Sequence, residues 1–77
     1  MVETKIKLNS ISDVKDFIRM TSMCSGEVAV ITDRFIIDGK SIMGLFSLDL
    51  SKPVRVEFHG DIPHNVREGM QKYIIEE

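Results

Sequence analysis

The sequence predicts an α+β protein: a two-layer open-faced sandwich with a four-stranded antiparallel sheet covered by three helices. Segments of alternating polar and apolar residues are interspersed with segments whose apolar residues recur at helical spacing, in the order β-α-β-β-α-β-α. The connections are short, and the strands have one apolar and one polar face, which is typical of an antiparallel sheet covered on one side. The 77 residues fit a single domain spanning residues 1–77.

The first half of the chain predicts a strand, a helix and a strand. The first strand is indicated by alternation at Val2, Thr4, Ile6 and Leu8. The first helix, capped by Ser10 or Ser12, is expected to end near Cys24. Its predicted buried face consists of Ile11, Val14, Phe17, Ile18 and Thr21. Ser25-Gly26 interrupts this helix, and the β-branched residues of 27–32 predict the second strand.

The second half predicts two strands and two helices. Residues 35–37 form a short third strand, between the tight Asp33-Arg34 connection and Asp38-Gly39. Ser41 begins a short helix, and after Pro53 the fourth strand is indicated by apolar residues at every second position, Val54, Val56 and Phe58. Pro63 suits the first turn of the third helix. The buried stripe predicted for that helix is Val66, Met70, Tyr73 and Ile74.

Composition excludes several classes of function. The formal net charge of −2 does not provide the basic face that nucleic-acid binding requires. No long apolar stretch indicates a signal peptide or a membrane span, so we expect a cytoplasmic protein without a membrane partner. The single cysteine, Cys24, has no second thiol for a disulfide, and we interpret it as a small buried hydrophobe.

The segment from Lys40 to Asp49 is the most informative part of the chain. Ser41 has the chemistry of an N-cap, and a two-turn helix after it offers the core only one stripe. The helix carries more apolar side chains than that stripe accommodates, so some of them are expected to face water. A contiguous exposed apolar surface is typical of a site for protein partners.

The same segment resembles a known family. Lys-Ser-Ile-Met-Gly, followed by an apolar pair and Ser-Leu, is similar to the second-helix signature of HPr, the phosphocarrier protein of the bacterial sugar phosphotransferase system. The element order agrees with the HPr fold, and the resemblance extends without gaps from about Lys5 to Asp61. It implies a bacterial protein whose partners are phosphotransferase-system or regulatory proteins.

The chain departs from the family at the phosphoryl-accepting site. In HPr a histidine at the start of the first helix carries the phosphoryl group, and an arginine follows two residues later. The register of the resemblance places Ser10 and Ser12 at these two positions. A serine phosphate ester is much less labile than the N–P bond of phosphohistidine, and Asp13 adds a repelling charge. We therefore predict no catalytic residue and no phosphoryl transfer.

The two histidines lie elsewhere in the sequence. His59 alternates with a buried position of the fourth strand and is expected at the surface. His64 lies in the first turn of the third helix, at the end of the sheet opposite the start of the first helix, and remains an alternative phosphoryl acceptor. No cluster has metal-ligand spacing, and no cofactor is expected.

The resemblance also implies a regulatory role for Ser41, because HPr kinase phosphorylates the corresponding serine in many Gram-positive HPr proteins. The structural alternative is a simple helix cap. The predicted partner-binding surface lies between the first two helices and consists of Ile42, Met43, Phe46, Met20 and Met23. For the two methionines of the first helix, folding back over loop edges is the alternative.

Three functions follow from these observations. The first is a non-phosphotransferring HPr-like protein that acts as a binding or regulatory module. The second is a phosphocarrier with an atypical acceptor, His64 or a serine. The third is a structural domain of a larger assembly, such as a homodimer that uses the apolar surface for self-association.

Overall fold

The computed structural model describes residues 1–75 and confirms the predicted fold class. Within this range the chain forms a four-stranded antiparallel sheet and three helices in an α+β arrangement. The elements are β1 (Val2–Ile6), α1 (Ile11–Thr21), β2 (Val28–Ile31), β3 (Ile36–Asp38), α2 (Ile42–Phe46), β4 (Val54–Phe58) and α3 (His64–Met70).

The strand order across the sheet is β1-β4-β2-β3, and every neighbouring pair is antiparallel. In β1 and β4, Val2 lies opposite Phe58 and Ile6 lies opposite Val54. The predicted alternation of β4 is confirmed, because Val54, Val56 and Phe58 are buried whereas Arg55 is exposed. One face of the sheet therefore carries the helices, and the other faces solvent.

The helices form the second layer, with α1 between α2 and α3. Residues from all three helices contribute to a single core with the sheet; its largest fully buried side chains are Phe17, Ile6, Leu45, Val14, Val30, Val56, Val66 and Thr21. The longest helix, α1, has 11 residues, and no helix among residues 1–75 is long and apolar enough to cross a bilayer.

Helix α1 differs from the prediction at both ends. It ends at Thr21, three residues before Cys24, because Ser22 is the C-cap and its amide bonds back to the carbonyl of Ile18. Ile11, predicted to be buried, is 50% exposed. As the first helical residue after the Ser10 cap, Ile11 lies beyond the part of α1 covered by the core. Cys24 is buried, as predicted, and burial raises the pKa of its thiol.

The C-terminal segment adds an interaction that the helical pattern did not predict. Helix α3 ends at Met70, whereas Tyr73 and Ile74 were expected to continue it. Instead, Ile74 forms an isolated antiparallel bridge with Ile6 of β1. The amide of Lys7 donates to the Tyr73 carbonyl at 2.9 Å. Pairing the outer edge of β1 satisfies backbone groups that would otherwise be left open.

Two glycines allow the loops at one end of the sheet to cross. A Cβ atom on Gly26 would lie 2.5 Å from the amide nitrogen of Gly60, and a Cβ atom on Gly60 would lie 2.6 Å from the amide nitrogen of Gly26. A side chain at either position would therefore force the two backbones apart. The absence of a side chain at both positions therefore lets the turn after α1 lie directly against the turn after β4.

Candidate functional site

The start of α1 is a capped helix terminus. The Ser10 side-chain oxygen accepts a hydrogen bond from the Asp13 amide at 3.1 Å, so Ser10, not Ser12, is the N-cap. The Asp13 carboxylate accepts from the amide of Asn9 at 2.9 Å, which resembles the reciprocal bonding of a capping box. Ser12 is exposed in the first turn. The Ser10 oxygen thus has a structural partner, and the Asp13 carboxylate lies within the same turn.

A cluster of polar side chains lies one turn further along α1. The Asp16 carboxylate accepts a hydrogen bond from the Tyr73 hydroxyl at 2.6 Å and lies 3.1 Å from Lys72 Nζ. Arg19 forms an ion pair with the same carboxylate. Lys72 Nζ is also 5.2 Å from the centre of the Tyr73 ring. These contacts attach α1 to the C-terminal segment.

The cluster shifts the ionisation of both central groups. The hydrogen bond from Tyr73 lowers the pKa of Asp16 below its ordinary value of 3.8, against the opposing effect of burial. Burial, followed by the hydrogen bond to Asp16, raises the pKa of Tyr73 well above its ordinary value of 10.0. Both shifts favour a neutral phenol that donates to a charged carboxylate. Ser12 lines the shallow depression beside this cluster.

Helix α2 confirms the predicted cap. The Ser41 side-chain oxygen accepts a hydrogen bond from the Gly44 amide at 3.2 Å, and Ser41 is half-buried. Gly44 lies against β3, because a Cβ atom at this position would be 2.7 Å from Cγ2 of Ile37. The close approach of α2 to the sheet therefore depends on the absence of a side chain at Gly44.

Most of the apolar side chains of α2 face water. Only Leu45 enters the core. Met43 is 78% exposed, and Ile42 and Phe46 are also exposed. We refer to Ile42, Met43 and Phe46 as the α2 face. Their exposure agrees with the expectation that a two-turn helix cannot bury all of its apolar residues.

Met20 and Met23, which were expected to complete the partner-binding surface, do not extend the α2 face. Met20 was predicted to be exposed, but it is 5% exposed, and its Sδ would be 2.7 Å from a Cβ atom built on Gly69 of α3. The reason is that α1 is flanked by helices on two sides, so its buried arc is wider than one stripe. Met23 is exposed, as expected, but it lies beside α3, with its Sδ 3.5 Å from Asn65 Nδ2.

Sequence reasoning missed one exposed residue near the predicted surface. Helix α2 begins beside the end of α1, since Lys40 Nζ donates to the Cys24 carbonyl at 2.8 Å. The segment after α2 returns towards the start of α1, since Lys7 Nζ donates to the Leu50 carbonyl at 2.6 Å. The exposed Ile11 therefore lies at the end of α1 towards which α2 runs. The sequence signal for its exposure was its position as the first helical residue after the Ser10 cap.

Both histidines lie away from the start of α1. His59 is exposed, with Nε2 3.3 Å from a Glu57 carboxylate oxygen, as expected for a surface residue. His64 is the first residue of α3, with Nε2 2.6 Å from a Glu68 carboxylate oxygen. The neighbouring Asn65 contacts the turn that follows α1. His64 is therefore at the opposite end of α1 from Ser10. Residues 1–75 contain no group of histidine, cysteine and acidic side chains that could hold a metal ion.

Comparison of the chain with protein-family models, with curated proteins and with solved structures yields no match. The resemblance to HPr therefore rests on the residues of the Lys40 to Leu48 segment and on the element order.

Proposed function

We propose that this chain is a protein-binding module related to the HPr family, which docks a phosphotransferase-system or regulatory protein through the α2 face without carrying a phosphoryl group. The observation that carries this proposal is the exposure of Ile42, Met43 and Phe46 on a helix that contributes only Leu45 to the core. Exposed apolar side chains on a capped, close-packed helix provide a preformed surface for a partner.

The start of α1 supports the absence of phosphoryl transfer in this proposal. A relay requires a nucleophile that accepts phosphate and releases it readily, which imidazole does and a serine hydroxyl does not. The Ser10 side-chain oxygen caps α1. Position 12 holds a serine instead of the arginine that would bind phosphate. The nearby carboxylate of Asp13 opposes the approach of an anion.

The position of His64 argues against the alternative of a carrier with an unusual acceptor. Helix α1 lies between α2 and α3, so a donor protein docked on the α2 face would lie on the other side of α1 from His64. The imidazole is also paired with Glu68, so a phosphoryl group would have to displace or repel a carboxylate.

The regulatory role that the resemblance implies for Ser41 remains a prediction. Its side-chain oxygen faces the amide of Gly44 at the start of α2, next to the exposed Met43. A phosphate on this oxygen would place about two negative charges beside the apolar α2 face. Such a modification would change partner binding more than it changes the fold.

A phosphorylation assay tests both parts of the proposal. Incubation with enzyme I and phosphoenolpyruvate, followed by intact mass measurement, is expected to leave the wild-type chain unmodified. The double variant Ser10→His/Ser12→Arg restores the family's two residues and is expected to gain acid-labile phosphate. Adding Met43→Asp to this variant is expected to remove that gain by weakening docking.

Stoichiometric acid-labile phosphate on the wild-type chain would overturn the proposal in favour of a carrier. Failure of the folded Ser10→His/Ser12→Arg variant to accept phosphate would contradict docking to enzyme I. Circular dichroism of each variant provides the control for folding. HPr assayed in parallel verifies that the donor is active.

A further inference from the structure

The free edge of β3 carries two exposed apolar side chains. Strand β3 is the last strand of the sheet and pairs only with β2. Ile36 is 77% exposed, and the adjacent Phe35 is 64% exposed. Ile37 faces the helix layer and contacts α2. Ile36 therefore projects from the open face of the sheet, directly at its edge.

The two edges of the sheet differ in how far other backbone segments cover them. The outer edge of β1 is covered in part by the C-terminal segment, where Ile75 donates to the Lys5 carbonyl at 3.0 Å. No described segment covers β3 in this way. Exposed edges of soluble proteins usually carry lysine, proline or a bulge that prevents pairing with another chain. Residues 35–37 are Phe-Ile-Ile and contain none of these.

The backbone groups of Ile36 point away from the sheet. In the β2–β3 ladder, the Thr32 amide donates to the Phe35 carbonyl, and the Gly39 amide donates to the Val28 carbonyl. Hydrogen bonding alternates along an antiparallel strand, so positions 35, 37 and 39 bond to β2, and positions 36 and 38 face outward. The amide and carbonyl of Ile36 are thus available to a second strand.

We propose that two copies of this chain associate through their β3 edges, antiparallel and centred on Ile36, to form a continuous eight-stranded sheet. The two Ile36 residues would exchange a pair of backbone hydrogen bonds across the two-fold axis. The inference concerns the sheet edge and does not depend on docking at the α2 face.

Charge complementarity selects the second copy as the occupant. An antiparallel pair centred on Ile36 brings Arg34, in the turn that precedes β3, towards Asp38 at the end of β3 in the other copy. Both side chains are exposed, and within residues 1–75 neither forms an ion pair. Asp38 uses one carboxylate oxygen to accept from the amide of Lys40, which leaves the other for an arginine. The edge is therefore complementary to itself.

The charges also select the register. Centring the pair on Ile37 would again align outward-facing backbone groups, but it would move Arg34 away from Asp38 and towards Lys40, in the turn after β3 of the second copy. Like charges directly opposite each other destabilise a strand pair. In the register centred on Ile36, Phe35 lies opposite Ile37 of the second copy on the helix side of the sheet. Two exposed aromatic rings would thereby leave water.

Reciprocal charge variants test the proposal by sedimentation equilibrium. Wild-type chain is expected to show a concentration-dependent monomer–dimer equilibrium. Arg34→Asp places two acids opposite each other at both ends of the pair, and Asp38→Arg places two bases there. Each variant alone is expected to dimerise about tenfold or more weakly than wild type. An equimolar mixture of the two is expected to regain the dimer, because every charge pair then becomes attractive.

Three results would overturn the proposal. The first is a wild-type chain that stays monomeric up to millimolar concentration. The second is a dimer that persists in both single variants, because it must then use another surface. The third is a mixture of folded variants that remains monomeric, because the Arg34–Asp38 register is then wrong. Thermal unfolding of each variant shows whether it folds.

Two further measurements locate the contact. In wild-type chain, amide exchange at Ile36 is expected to slow as concentration rises, because this amide is bonded only in the dimer. Met23→Lys serves as the matched control, since it places a charge on an exposed apolar residue beside α3, away from β3. This variant is expected to dimerise as wild type does, and its failure to do so would contradict the proposed edge.

Discussion

At the scale of single residues, the start of α1 is organised for helix stability. Ser10 and Asp13 satisfy backbone amides that the first turn of a helix leaves unpaired. An arginine here would serve anion binding, whereas the residues present serve capping. The polar side chains of this turn are therefore bonded to its own backbone amides.

Asp16 joins the C-terminal segment to α1 through side-chain contacts. Its carboxylate accepts from the buried Tyr73 and lies beside the ammonium group of Lys72. Replacement Asp16→Asn is expected to lower the free energy of unfolding by about 2 kcal/mol, because the charge that strengthens the hydrogen bond from Tyr73 and attracts Lys72 is lost. Urea denaturation at neutral pH measures the change. Asp33→Asn, in the exposed β2–β3 turn, is the matched control and is expected to have an effect within about 0.5 kcal/mol.

The same residue predicts a pH dependence of stability. The pKa of Asp16 is lower in the folded chain than its ordinary value of 3.8, so the folded state binds the proton less readily than the unfolded state. The stabilisation is complete above that value and is lost as the pH falls below it. The Asp16→Asn variant should therefore lose less stability than wild type between neutral pH and pH of about 3. Equal acid sensitivity of the two proteins would contradict this assignment.

At the scale of elements, α2 divides its apolar residues between the core and solvent. Leu45 is fully buried, so Leu45→Ala is expected to lower the free energy of unfolding by about 3 kcal/mol. Met43 is exposed on the same helix, so Met43→Ala is expected to change it by less than about 0.5 kcal/mol. Chemical denaturation of both variants checks the difference. A large loss on Met43→Ala would show that this residue serves the fold instead of a partner.

The elements also show which features the sequence can predict. Period and caps identified all four strands and all three helices, because a half-buried element imprints its period on its own residues. The burial of Met20 could not be predicted, because it depends on α3 lying against α1 at Gly69. Ile11 has the spacing of the buried face, and it was therefore predicted to be buried. It is exposed because the core does not extend as far as the first residue of α1.

Long-range pairing explains the remaining differences. Tyr73 and Ile74 have helical spacing after Met70, yet the edge of β1 offers them backbone partners that a helix would not use. The exposed edge of β3 is likewise a property of strand order, which local pattern does not reveal. The α2 face was predictable because a short helix limits burial whatever surrounds it.

At the scale of the whole molecule, the fold presents distinct surfaces. The α2 face lies in the helix layer, and the open face of the sheet carries Arg55 and Glu57 among its polar residues. The second sheet edge ends in β3. A partner docked on α2 and a second copy at the β3 edge would therefore use different groups of the chain.

The most direct test of the proposed docking is a titration of ¹⁵N-labelled chain with unphosphorylated enzyme I, followed by nuclear magnetic resonance. We expect chemical-shift changes at the amides of Met43 and Phe46, with little change at Arg55 and Glu57 on the open sheet face. Met43→Asp should weaken the response. Absence of any shift change, or changes confined to the open sheet face, would contradict docking through α2.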